Sequence, residues 1–176
     1  MKTSFKFVKP GKLVDGDLEL VLVKTAPADP AKGYVPGYEF EMRRPDHAQT
    51  MGTIRLRIGS AVKLRFPGHI GYEVKKRFRG RRFAARACRL LLPLAFAHDL
   101  NAVWLTVDPN NIPSLRTCAI IGAKYVETVR LPKDHAMYEH GARYRRRYRL
   151  EISKGVSNRR STAPSRTREH AVLDRR

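Results

Sequence analysis

The hydrophobic period of this chain changes once, and that change fixes the order of its elements. From Leu18 to Lys75, four segments alternate apolar with polar residues: Leu18 to Lys24, Tyr38 to Arg43, Thr53 to Ile58 and His69 to Lys75. A period of two is the signature of a half-buried strand, and short joins between such strands favour an antiparallel meander. The first strand follows a turn-like Asp15-Gly16-Asp17, and the fourth follows Pro67-Gly68. Beyond Arg81 the spacing becomes three and four. Phe83, Ala84, Ala87, Cys88, Leu91, Leu94 and Ala95 line one face of a helix over Arg81 to His98, with Pro93 inside it. Ala102 to Val107 is then a continuous apolar run, suited to a strand covered on both faces. Asp108-Pro109-Asn110-Asn111 breaks it. Pro113 marks a first helical turn, and the helix over Ser114 to Ile121 stops at Gly122. Strands over Lys124 to Leu131 and Tyr144 to Ile152 complete a mixed α/β arrangement, helices packed on a sheet.

Charge is the unusual quantity. Thirty-six Lys and Arg against sixteen Asp and Glu give a net +20, enough to attract phosphorylated or polyanionic partners. Residues 151–176 carry only +4 of it, so the excess belongs to the folded part. Lys75 to Arg89 holds eight basic residues and no acid, and Arg143 to Arg149 holds five in seven. The pattern predicts a folded domain over residues 1–152 and a basic tail over 153–176, too poor in apolar residues to order itself. The longest apolar run, Leu90 to Ala97, is far below the ~20 residues of a membrane helix, so no membrane association is expected. Met1 to Pro10 lacks a signal-peptide core, so a cytoplasmic location is expected. Cys88 and Cys118 are too few for a disulfide framework or zinc site and read as free buried thiols; no metal is expected.

The chemistry-bearing stretch runs from Gly68 to Ala84. A strand feeds a tight, basic, glycine-containing turn that opens into the long helix. Amides at a helix N-terminus are unpaired and bear partial positive charge, and Arg side chains add donors for phosphate oxygens. This segment resembles the acetyl-CoA-binding signature of the GCN5-related N-acetyltransferase (GNAT) superfamily. That signature is Gln or Arg, two residues, Gly, one residue, then Gly or Ala. Arg79, Arg82 and Ala84 occupy the three positions, with Arg82 where the family usually has Gly and Gly80 two residues earlier. A second block, Asn111-Ile-Pro-Ser114 ending at Gly122-Ala123, is similar to the family's later Asn, two residues, Ser or Ala, and Gly-Phe pattern. Ala123 replaces the Phe. Cys118 stands where many members have the Tyr that protonates the departing thiolate. The resemblance covers Gly52 to Leu131 and is nearest in look to the branch acetylating protein N-termini and small amines.

The resemblance implies a mixed central sheet of about six to seven strands. Its fourth and fifth strands splay, a long helix follows the fourth, and the first helices are reduced. It implies acetyl-CoA as co-substrate, with pantetheine in the gap beside Tyr72, Glu73 and Val74, Val74 being the main-chain partner. The diphosphate would rest on Arg79, Gly80, Arg81, Arg82, Phe83 and Ala84, with Asn111 and Ser114 beside the sulfur. An amine would attack the thioester directly while a backbone N–H polarises its oxygen, and a base must take the amine's proton. Glu73 is the carboxylate for that role; the same residue also balances Lys75 and Lys76. His69 titrates near neutrality but fits packing on a strand face, and Tyr125 and Tyr138 are possible acids, Tyr125 doubling as a sheet residue. Cys118 has no activating neighbour in sequence, Trp104 reads as core, and Asp108 shapes its turn.

Family members carry helices between their first two strands that wall the acceptor pocket. Here Thr25 to Gly33 allows at most a turn, so an open pocket shaped by Pro30 to Gly37 and Lys133 to Gly141 is expected. Such a site suits a peptide end, an amino acid or a small amine, acting as a monomer or homodimer. Two other readings stand beside it. The interleaved Tyr and Arg of Arg143 to Arg149 suit a nucleic-acid or ribosome-associated binding module. Arg82 and the absent Tyr suit a catalytically weak acetyl-CoA sensor.

Overall fold

The computed structural model describes residues 5–152, and the expected basic tail lies outside them. The chain runs β1 (Leu13–Asp15), β2 (Leu18–Ala26), β3 (Gly37–Arg43), β4 (Thr50–Arg57) and β5 (Ile70–Val74). It continues α1 (Phe83–Phe96), β6 (Ala102–Val107), α2 (Ile112–Ile121), β7 (Lys124–Arg130), α3 (Ala136–Glu139) and β8 (Tyr144–Glu151). Strands β1 to β5 form an antiparallel meander in sequence order, and β6, β8 and β7 form a second antiparallel sheet with β8 in the middle. The GNAT-like α/β architecture is therefore present, with its sheet parted between β5 and β6 and its strand count raised to eight by the short β1.

The alternating segments fold as their period dictates. On the inner face Leu18, Leu20, Tyr38, Phe40, Met42, Ile54, Leu56 and Ile70 are buried, and α1 covers them with Phe83, Ala87, Cys88, Leu91, Leu94 and Ala95. Burying a large apolar side chain contributes ~1.5–3 kcal/mol, so this face supplies most of the driving force for folding. Pro93 falls in the last turn of α1 and does not end it. Between β2 and β3 there is only a single turn of 3-10 helix, Pro30–Lys32, closed by an Asp29–Tyr34 bridge. The outer face of β2–β5 consequently carries charged residues such as Glu39, Arg55 and Glu73.

Two expectations need correction. β6 is buried on one face only, with Val103, Leu105 and Val107 inside. Trp104, expected in the core, is half-buried on the other face, covered by the Arg147 guanidinium 4.2 Å from its ring centroid. The apolar run did not distinguish a doubly covered strand from one whose outer face is roofed by arginine stems, which bury apolar surface as hydrocarbon does.

Candidate active site

His69 is where the sheet comes apart. Its N–H donates to the Trp104 carbonyl at 2.7 Å, a backbone bond between the start of β5 and β6. The Trp104 N–H donates not to backbone but to His69 Nδ1, at 3.1 Å. The imidazole, 2% exposed and anchored through Nε2 to the Gly59 carbonyl at 2.9 Å, thus accepts the β6 backbone donor in place of a main-chain carbonyl. Gly68 makes this approach possible. It lies at φ +68°, and a Cβ there would sit 2.8 Å from the Trp104 carbonyl.

Past that point β5 and β6 diverge. The Lys75 N–H bonds Met51 and the Arg57 N–H bonds the His69 carbonyl, so the odd-numbered β5 residues face β4. By the alternation of an antiparallel ladder, the backbone groups of Ile70, Tyr72 and Val74 point into the gap. The gap is a slot of about 240 Å³ lined by Ile70, Gly71 and Tyr72 on one side and Leu105, Thr106, Val107 and Asp108 on the other. Asn111 and Ser114, at the start of α2, complete one end; Arg57, Met137 and Arg145 line the other. The slot therefore passes through the sheet, from the helical side to the open outer face.

Each predicted residue has a definite place. Tyr72, Asn111 and Ser114 meet in the slot. The Asn111 side chain caps α2 by accepting from the Ser114 N–H at 3.1 Å. The Tyr72 hydroxyl is buried with no hydrogen-bond partner among the described residues. Burial pushes it up to about 12; the Ser114 and Thr117 hydroxyls oppose that shift without completing a bond to it. The Val74 carbonyl accepts from Arg79 Nε at 3.0 Å. Gly80 and Arg82 both have positive φ, +81° and +59°, and Arg82 is the N-cap of α1 with no side chain capping the first amides. Arg81 is exposed, whereas Phe83 and Ala84 bury their side chains and offer only backbone to a ligand. Glu73 is exposed on the outer face, opposite Thr53 in register and outside the slot lining.

The other candidates resolve simply. His69 is the packed wedge described above. Asp108 Oδ1 accepts from the Asn110 N–H at 2.9 Å, as a turn-shaping Asp does, while Oδ2 lies 3.6 Å from Arg145. Cys118 is buried and its thiol is pushed up to about 12, so it is protonated and inert. Tyr125 is exposed on β7, hydrogen-bonded to Thr128, and Tyr138 lies under the Arg143 guanidinium. Sequence reasoning passed over Arg57, one more charge in an alternating strand; Met137 falls in the Lys133 to Gly141 stretch expected to shape the pocket, and Arg145 in the Tyr and Arg run read for nucleic acid. Among the described residues no cluster of His, Cys, Asp or Glu could hold a metal, and no helix is long and apolar enough to cross a membrane.

This geometry agrees with known proteins at two levels. No curated protein matches the chain. Among solved structures, a ribosomal-protein-alanine acetyltransferase from Vibrio fischeri superimposes with a TM-score of 0.57 at 15% identity, over 87% of this chain and 98% of its own. RimL, a ribosomal α-N-protein acetyltransferase bound to coenzyme A, gives 0.58 at 11% identity, over 80% and 98%. The microcin C7 self-immunity acetyltransferase MccE, solved with acetyl-CoA and AMP, gives 0.52 at 15% identity, over 66% and 61%. These likenesses concern the fold. Residues 20–124, more than half of the sequence and the stretch holding β2 to α2, match the acetyltransferase (GNAT) domain family, and the chain belongs to that family.

Proposed function

We propose that this chain moves the acetyl group of acetyl-CoA to a primary amine that enters from the open outer face, the amine belonging to a small molecule, an amino acid or a peptide end. The observation that carries the reading is the through-sheet slot, with unpaired β5 backbone on one wall and Tyr72, Asn111 and Ser114 around its inner end. The slot is narrower than the ~300–1,000 Å³ of a drug-sized pocket and suits an extended arm. Ile70 and Tyr72 offer backbone groups with no strand partner, so a pantetheine amide can pair with β5 as an added strand would. Arg79 already holds the Val74 carbonyl, which moves the main-chain contact toward Tyr72. The uncapped first turn of α1, with Arg79, Arg81 and Arg82 around it, supplies amides and guanidinium groups for the diphosphate.

Acetyl-CoA supplies the activated acyl group, and the protein's residues handle charge. The Tyr72 hydroxyl is a buried donor without an acceptor, next to the residues that the family places by the sulfur. A phenol held near 12 keeps its proton, so its role is to donate a hydrogen bond to sulfur as negative charge develops there. Glu73 shares the outer face with Gly71 and Arg57, where the slot opens, and takes the amine's proton directly or through water.

Two measurements test this. Acetyl-CoA at millimolar concentration should raise the melting temperature, because a ligand preferring the folded state must do so. Tyr72→Phe should keep that upshift while lowering kcat about 10- to 100-fold, the worth of a hydrogen bond to a charged group. An unchanged kcat removes Tyr72 from the chemistry, and an absent upshift removes the enzyme. Ribosomal proteins are the acceptors named for two of the structural neighbours, and the basic surface suits a partner of that setting.

A further inference from the structure

Arg57 is a cation without a counter-ion at the acceptor end of the slot. It ends β4 half-buried, and the edge of its guanidinium turns toward Gly71, where a Cβ would stand 3.2 and 3.6 Å from Nη1 and Nη2 and 3.8 Å from Cζ. The neighbouring arginines are engaged. Arg55 pairs with Glu39, Arg145 faces Asp108, and Arg147 is held by Glu127. No carboxylate lies within ion-pair distance of Arg57 among the described residues. Among the described residues its guanidinium makes one polar contact, a long 3.5 Å approach to the Gly68 carbonyl. Burial and the repulsion of Arg55 weigh against its charge with no acid to offset them. A desolvated guanidinium costs stability unless paired, and this one faces the space the acceptor must occupy.

We infer that Arg57 reads the acceptor: the amine acetylated here carries a carboxylate close by, which seats on the Arg57 guanidinium as the amine enters beside Gly71. This rests on the acetyltransferase reading of the slot and narrows its substrate class. A planar guanidinium matches a carboxylate with two parallel hydrogen bonds, fixing orientation as well as charge. Arg145 and Met137, on the opposite side of the mouth, leave Asp108 as the one acid lining the slot. A polycationic amine would therefore meet net repulsion there. The carboxylate can be the α-carboxylate of a free amino acid or the side chain of an acidic residue at a peptide N-terminus, and the chemistry is shared.

The test compares matched acceptors that differ only in that charge. Alanine and serine are assayed against their α-amides, N-terminal aspartyl peptides against asparaginyl ones, and spermidine serves as the cationic comparison. The acid of each preferred pair should exceed its amide in kcat/KM by about 10- to 100-fold, the worth of a charge-assisted bidentate contact. Which pair shows the preference identifies the source. Arg57→Gln should collapse the ratio toward one, and Arg57→Lys should restore part of it. Gly71→Ala, whose methyl displaces the guanidinium while keeping its charge, should also lower it. Equal use of acid and amide, or a preference for spermidine, overturns the proposal. So does a ratio that survives Arg57→Gln. If no amine is turned over although acetyl-CoA still raises the melting temperature, binding decides. N-acetylalanine and N-acetylaspartyl peptide are titrated into the CoA-loaded protein by calorimetry. Affinity lost in Arg57→Gln supports the carboxylate seat, and no binding, or binding indifferent to the substitution, rejects it. Absence of any acetyl-CoA upshift rejects the enzyme reading instead.

Discussion

His69 carries its proton on Nε2, because Nδ1 must accept the Trp104 N–H while Nε2 donates to the Gly59 carbonyl. In an imidazolium the added Nδ1–H would have no acceptor and would be set against the Trp104 N–H, so the folded protein holds this ring neutral. Burial depresses its pKa, and the charges of Arg147 and Arg57 push the same way. Above about pH 6.5 the ring is neutral both folded and unfolded, and stability is at its full value. As pH falls from there toward the lower folded pKa, the unfolded chain binds a proton that the folded chain refuses. Stability then drops by at most ~1.4 kcal/mol per pH unit. His98, depressed by burial beside the Tyr38 hydroxyl, adds in the same direction. Urea midpoints between pH 8 and 5 should therefore decline. His69→Leu should lose roughly 2–3 kcal/mol at pH 8, from two buried groups left unpaired, and should show a shallower acid decline. An equally steep decline in that variant assigns the acid sensitivity elsewhere.

At the level of elements, the entry into α1 shows what replacing the usual glycine does. Arg82 adopts φ +59°, ψ +17°, the left-handed region that an L side chain enters at a cost of ~1–2 kcal/mol. Arg82→Gly relieves that strain but adds freedom to the unfolded chain, so its net gain is small. Arg82→Ala keeps the strain and loses the side chain. The glycine variant should be more stable than the alanine one by about 1 kcal/mol in urea unfolding, and the reverse order would contradict the assigned backbone. The positive φ was not legible in the sequence, since Arg itself signals nothing about φ. Most of the other elements were legible from period alone. β2 to β5, α1, α2, β7 and β8 fall within a few residues of the expected bounds, because each buries one face and its spacing records that face. β1 and α3 went unseen, three and four residues being too short to show a period. The parting of β5 from β6 was expected from family likeness. The backbone bond that an imidazole accepts where it begins is a contact between residues 35 positions apart that no local pattern encodes. The slot lining was legible where the family resemblance reached it, at Tyr72, Asn111 and Ser114. It was not legible at Arg57, whose significance is the absence of a partner across the sheet.

Over the whole molecule, a net charge of +20 acts on every anion that approaches, and acetyl-CoA with its phosphates is a strongly charged one. Much of the described basic surface adjoins the helix entry, where Lys75, Lys76, Arg79, Arg81 and Arg82 are all exposed. Exposed charges act through solvent and are screened within about 10 Å at 0.1 M salt and about 3 Å at 1 M. The slot's own contacts are shorter and shielded from bulk ions. Raising sodium chloride from 0.05 to 0.5 M should therefore raise KM for acetyl-CoA several-fold while leaving kcat within about twofold, since salt weakens capture more than the bound geometry. The same series separates this protein from a nucleic-acid module. Binding driven by phosphate neutralisation falls linearly on a log–log salt plot with a slope set by the number of contacts. If RNA bound with a slope of several and acetyl-CoA raised the melting temperature at no salt concentration, the charge would serve a polynucleotide. A salt-sensitive KM for acetyl-CoA with a nearly constant kcat ties the charge to cofactor capture at the mouth of α1.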